Sequence, residues 1–249
     1  MLEKNKIDCF GAGRNISEIR QPKILNQNGT KVAFLGYTTE KRHVRSIIAK
    51  ENKAGCLEYN IEMIREDISK AKSISDFTVI SFHWGHEYHE YPSPFQVDLA
   101  HRIIDAGANL IIGTHPHIIQ GYEEYKGALI FYSLGNFFFP DFIRKDGLHY
   151  CWPEKSKYSI VVRVKISMGT IDEYEIIPVK MMHDHRLMIL DGNEKQIILN
   201  RVNEISRRLQ DKDYVRFWNN YHKKMTAKLF LRESFVYIKN LRNIALARP

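Results

Sequence analysis

The chain has 249 residues, of which 44% are hydrophobic and 27% charged, a balance that gives a sizeable buried core and excludes wholesale disorder and collagen-like repeats. Its three cysteines, Cys9, Cys56 and Cys151, are odd in number and far apart, which excludes a disulfide framework and a cysteine zinc site. The net charge of +8 is localised: residues 200–249 carry 12 Lys/Arg against 4 Asp/Glu, and residues 1–199 carry 25 of each, so nucleic-acid binding by the body is not expected.

Taken in order, Leu2–Ile7 reads as the end of a helix and Asp8–Phe10 as a short strand entering the glycine-rich turn Gly11–Asn15. Pro22–Asn28 suggests a strand, Asn28-Gly29 is a hairpin signal, and Lys31–Tyr37 follows as a buried strand. Ile61, Ile64, Ile68 and Ala71 recur at helical spacing over 60–73. Asp76–Phe82 is a continuous apolar run, as in strands covered on both faces. Pro94 after Ser93 opens a helix that Gly107 stops, and Asn109–Gly113 and Ala128–Ser133 are two further buried strands. Strand, helix, strand in sequence predicts parallel crossovers and an α/β layered fold. Over 158–181, Ile160, Val162, Val164 and Ile166 alternate with Val161, Arg163 and Lys165, and Met168-Gly169 turns the chain into a second strand. From about 193 to the end the pattern is helical, with aromatic and apolar residues on one stripe.

Six of the eleven histidines fall between 83 and 117. His83 directly follows one apolar run, and His115 and His117 directly follow another. Ligands of parallel α/β folds bind where strands end, because the following loops converge there. His115-Pro116-His117 also mounts two imidazoles on one stiff loop. Three neutral imidazoles at one sheet edge suit Zn²⁺, Fe or Mn²⁺. Glu87, four residues after His83, either orients a ligand from behind or is a solvated loop carboxylate. Asn136 either donates to an oxygen of a bound ligand or turns the chain, and Phe137–Phe139 are expected in the core. The other histidines read as ordinary surface or satisfied side chains. Gly11-Ala12-Gly13 is not a nucleotide fingerprint, because Ile16 stands where a third glycine is needed.

His83-Trp-Gly-His-Glu-Tyr88, Gly113-Thr-His-Pro-His-Ile-Ile-Gln120 and Tyr132-Ser-Leu-Gly-Asn-Phe137 together resemble the bacterial capsule-synthesis (CapA, poly-γ-glutamate) family. Gly11–Asn15, Pro22 and Asn28-Gly29 match its preceding segment, so the similarity covers about residues 1–181. The resemblance implies a calcineurin-like metallophosphoesterase fold, a layered β-sandwich with flanking helices. It implies that His83 and His115 ligate one metal and His117 a second, in a two-metal site that activates water against a phosphorus or carbonyl centre. The family's Gly-Asp strand end, acidic segment and Asn-Asn-His block, which supply the remaining ligands, are not found. Asn219-Asn220-Tyr221-His222 lies in the wrong context. The expectation is therefore a domain over 1–182 that lacks its amino-terminal portion, an incomplete dinuclear site for Mn, Zn or Fe, little phosphoesterase activity, and a basic helical extension over 183–249.

The partners so implied are the capsule or exopolymer synthesis machinery, served either by an enzyme or by a non-catalytic assembly module. With no signal peptide and no run of ~18 apolar residues, the chain as written is expected in the cytoplasm, although members of the family are often membrane-anchored. Tyr214, Trp218, Tyr221, Met225 and Leu229 share a stripe among basic residues. That stripe either packs on the 158–181 hairpin or lies on an anionic membrane through 200–249.

Overall fold

The computed structural model describes residues 3–5, 7–39, 47–143, 147 and 149–246, with side chains through residue 231. After a 3₁₀ turn at Glu3–Asn5, residues 7–10 are irregular, so the strand expected at Asp8–Phe10 is displaced to β1, Ala12–Gly13. Gly11 accounts for the displacement: at φ 74° it passes so close to Gly36 that an added Cβ would stand 2.9 Å from the Gly36 Cα. After α1 (Ile16–Ile19), β2 (Lys23–Gln27) and β3 (Thr30–Thr38) form the expected hairpin. Asn28 and Gly29 have φ of 52° and 85°, the left-handed pair that a two-residue hairpin turn requires. A two-residue strand, β4 (Gly55–Cys56), pairs antiparallel with β1.

Helix α2 (Ile61–Ile74) is capped by Asn60, whose Oδ1 accepts from the Glu62 and Met63 amides. It buries Ile64, Ile68 and Ala71. Then come β5 (Phe77–His83), α3 (Pro94–Asp105), β6 (Leu110–Thr114), β7 (Tyr122–Tyr125) and β8 (Ala128–Phe131). Helix α3 opens with Pro94 behind a reciprocal Ser93–Gln96 capping box. These strands make one six-stranded sheet in the order β2-β3-β5-β6-β8-β7, parallel through β3, β5, β6 and β8, with β2 and β7 antiparallel at the edges. Strand β7 carries Glu123 and Glu124 and gives little apolar signal, as suits an edge.

The remaining elements are β9 (Phe142–Ile143), β10 (His149–Tyr150), β11 (Tyr158–Ser167), β12 (Thr170–Met181), β13 (Leu187–Ile189), α4 (Gly192–Leu209) and α5 (Tyr214–Leu246). Strands β11, β12 and β13 form a second sheet, whose long hairpin turns at Met168 and Gly169 with φ of 47° and 76°. Its inward residues Ile160, Val162, Val164 and Ile166 meet Phe77, Val79, Leu110, Leu129 and Phe131 of the larger sheet. The opposite alternation of the larger sheet, Leu35, Ile80, Phe82, Ile111 and Ile130, is also fully buried. There α2 packs on β3 and β5, with α3 beside it. Each such side chain contributes ~1.5–3 kcal/mol on burial. Two sheets face to face with helices outside make the α/β layered fold that the apolar runs predicted, in the sandwich form that the family resemblance implied.

The chain divides into two compact units, residues 1–209 and 210–249. The boundary expected at 182/183 thus falls inside the first unit, to which α4 belongs: the Ser206 hydroxyl accepts from the Tyr122 amide, and Arg201 pairs with Glu90. The helical region expected to be continuous is broken before α5, where Tyr214 N–H bonds the Asp211 carbonyl and Phe217 N–H that of Asp213. Aspartates favour such turns and helix starts over helix interiors. Within the second unit, Phe217 stacks on Tyr221 and Trp218 on His222. No helix among the described residues is long and apolar enough to cross a membrane.

Candidate metal centre

The ends of β5 and β6 lie side by side, with His83 opposite Thr114 in parallel register. Trp84 fixes this junction. It is fully buried, stacks on Phe82 at 4.6 Å, donates its indole N–H to the Tyr132 carbonyl at 2.9 Å and its backbone N–H to Thr114 O at 3.1 Å. Gly113 is required at the same point: a Cβ there would stand 1.9 Å from Tyr132 O and 2.5 Å from the Trp84 indole nitrogen. The loops after β5 and β6 therefore leave the sheet together, and Tyr88 N–H ties them by bonding Pro116 O at 2.8 Å.

Three non-glycine residues here adopt left-handed backbone: Tyr88 at φ 60°, His115 at 98° and His117 at 60°. A residue before proline ordinarily takes extended geometry, so His115 is held against its preference. Such conformations cost ~1–3 kcal/mol each and gather at functional sites. The rings of His83 and His115 lie 4.6 Å apart and those of His115 and His117 6.1 Å apart. Glu87, His115 and His117 each offer a ligand atom, all within 4.8 Å of one another. Glu87, for which the sequence left open an orienting role or a solvated loop position, thus lies within reach of the same point as the other two histidines.

Asn136 joins from the loop after β8, its Oδ1 lying 2.9 Å from His117 Nδ1. A carboxamide oxygen only accepts, so that ring carries its proton on Nδ1 and presents the Nε2 lone pair. Asn136 is 3% exposed, and its Nδ2 is buried without a hydrogen-bond partner, as is Nε2 of His83. Burial, reinforced by the neighbouring His117, lowers the His83 pKa below its ordinary value, which favours the neutral, ligating form. Orphaned buried polar atoms cost ~1–3 kcal/mol each. Imidazoles, one carboxylate and two unpartnered nitrogens fit a divalent cation with an oxygen-bearing ligand.

The other histidines have different surroundings. His89 Nδ1 bonds Glu87 O, His101 stacks on Tyr125 beside Glu123, and His183 meets Lys157. Phe137, Phe138 and Phe139, expected in the core, are 53%, 54% and 40% exposed. Gly135 turns at φ 80°, and after it the chain leaves the sheet instead of continuing inward. The residues that the sequence reading missed are Tyr88, Phe139 and Trp152, whose rings meet His117, and Tyr150, which packs on Trp152. The density of aromatics between Phe137 and Trp152 was the available signal.

The family model described as bacterial capsule synthesis protein PGA_cap matches residues 1–141. The chain is 42% identical over 137 residues to the capsule biosynthesis protein CapA of Bacillus anthracis, covering 53% of this chain and 33% of that one. It is 41% identical over 138 residues to the PGA biosynthesis protein CapA of Bacillus subtilis, covering 55% and 36%. The match thus spans about a third of the length of these curated relatives. Among solved structures, the calcineurin-like phosphoesterase YfkN of B. subtilis aligns at 16% identity and a TM-score of 0.40, over 79% of this chain and 63% of that one. The family model spans more than half of the chain, including every residue of the histidine cluster, and the chain belongs to the bacterial capsule synthesis PGA_cap family.

Proposed function

We propose that this chain is a divalent-metal-binding protein of bacterial capsule or exopolymer synthesis, holding one ion through His115, His117 and Glu87 with His83 alongside. The observation that carries the reading is the convergence of those ligand atoms within 4.8 Å, beside two buried nitrogens that lack partners. When bound, a Mn²⁺, Zn²⁺ or Fe ion would supply Lewis-acid polarisation of a phosphoryl or carbonyl oxygen. The protein's own groups do the rest. Asn136 Oδ1 accepts a hydrogen bond from His117 Nδ1–H and so holds that ring's Nε2 toward the centre. Its free Nδ2–H donates to an oxygen of the bound ligand. His83, kept neutral by burial, offers Nε2 as a further donor atom, and Trp84 and Gly113 keep both loops in register.

One carboxylate neutralises one ion better than two adjacent ones, so the reading is a mononuclear centre with weak or no turnover of simple phosphate esters. Isothermal titration with Mn²⁺ and Zn²⁺ tests it. Near-stoichiometric uptake of one ion, lost in His115→Ala with the fold retained by circular dichroism, is expected. Absence of binding, or binding untouched by that substitution, overturns it. Robust phosphatase activity abolished by His115→Ala would instead require ligands beyond those named.

A further inference from the structure

The rings around His117 form a continuous array leading away from the candidate centre. Trp152 lies 4.8 Å from His117, and Phe139 lies 5.5 Å from it, edge-on. Trp152 meets Phe139 at 5.4 Å and Tyr150 at 5.2 Å, both near perpendicular, and Tyr150 stacks on Phe142 at 5.0 Å. Polar ties fix these rings. The Trp152 backbone N–H donates to Asp141 Oδ1 at 2.9 Å and its indole N–H to Pro140 O at 3.3 Å, while the Tyr88 and Tyr150 hydroxyls share a bond of 2.7 Å. Packing of His117 alone would need only its immediate neighbour. The array runs two rings further, and Phe139 and Phe142 remain 40% and 48% exposed. Rigid aromatic side chains bind apolar or flat groups at low entropic cost, through offset and edge-to-face contacts.

We propose that this array is the specificity wall of the site, selecting a ligand in which a ring is bonded directly to the anionic head held at the centre. Phosphate monoesters of ring alcohols are the class that fits. The inference rests on the metal-centre reading and adds the substrate class. The anionic head reaches the imidazole cluster and the Asn136 amide. The ring then lies along Trp152 and Tyr150, where a short aliphatic group would leave most of the wall uncovered.

Calorimetric titration of the Mn²⁺-loaded chain with phenyl phosphate, n-butyl phosphate and methyl phosphate tests it in wild type, Trp152→Leu and Tyr150→Leu. Wild type is expected to bind phenyl phosphate about five- to tenfold tighter than methyl phosphate and tighter than the butyl ester, from one or two aromatic contacts. Each leucine variant is expected to reduce the phenyl-to-methyl ratio several-fold. Tyr150 lies one ring further from His117 and decides the matter if Trp152→Leu disturbs Mn²⁺ uptake. Equal affinity for the phenyl and methyl esters in wild type, or an unchanged ratio in both variants, overturns the inference while leaving the metal centre standing. Failure of wild type to take up Mn²⁺ removes the metal-centre reading and this inference with it, whereas uptake of Mn²⁺ with no binding of phenyl phosphate overturns the inference alone.

Discussion

Replacing Asn136 with leucine separates support of the centre from support of the fold. Among the described residues, the Asn136 Oδ1 accepts one bond, from His117 Nδ1 at 2.9 Å, and its Nδ2 is buried and unpartnered. Losing the bond costs ~0.5–1.5 kcal/mol, and removing the orphaned donor returns ~1–3 kcal/mol. Leucine of similar size fills the space, so unfolding of the metal-free chain in urea should change by between about 0.5 kcal/mol of destabilisation and about 2.5 kcal/mol of stabilisation. Metal affinity should respond differently. Without the acceptor on Nδ1, His117 is free to rotate and to carry its proton on Nε2, and loss of such an outer partner typically costs ~10–100-fold in affinity. Isothermal titration with Mn²⁺ alongside urea melts reads both quantities. A metal affinity unchanged within about twofold of wild type, or a loss of affinity matched by a collapse in stability, would refute the assignment of Asn136 as the group that orients His117.

Trp84→Phe keeps the stack on Phe82 but strands the Tyr132 carbonyl that the indole N–H satisfies, so a loss of ~1–3 kcal/mol in urea stability is expected, and no loss would show that water replaces the bond. Glu90 is pulled upward by burial but held below the ordinary carboxylate range by Lys155 and Arg201, each at 2.7 Å. A pKa depressed in the folded state means protonation favours unfolding, so this contribution is present above the unfolded carboxylate value of ~4.3 and lost as pH falls through the lower folded value. Glu90→Gln should therefore flatten the acid limb of the stability profile, and an identical limb would count against the network. Residues 210–249 carry nine Lys/Arg against three Asp/Glu, so any co-sedimentation of the full chain with anionic vesicles should weaken with salt and vanish when that unit is removed; salt-insensitive binding would contradict an electrostatic origin.

The parts legible in sequence are those where one local pattern decides the outcome. Asp76–Phe82 and Asn109–Gly113 are too apolar to lie anywhere but inside a covered sheet, and the alternation through Ile160–Ile166 admits only a strand with one buried face. His83, His115 and His117 could be placed at strand ends for the same reason. Tertiary effects decided what was missed. Strand β7 is an edge whose two adjacent glutamates interrupt any apolar run, β13 has three residues, and neither leaves a periodic trace. Glu87 joins His115 and His117 because a left-handed Tyr88 and its bond to Pro116 fold the two loops together, a contact between segments nearly thirty residues apart. The exposure of Phe137–Phe139 depends on where the chain goes after Gly135, which hydrophobicity alone does not encode. The break before α5 rests on two aspartates in an otherwise helical stretch.

The central claim is that one divalent ion is held by His115, His117 and Glu87 beside His83. Anomalous diffraction at the manganese edge from crystals grown with Mn²⁺ tests it most directly. The account predicts one strong peak per chain within coordination distance of the His115 and His117 imidazoles and the Glu87 carboxylate, absent in crystals of His115→Ala. A peak elsewhere on the molecule, or none at saturating Mn²⁺, would contradict it.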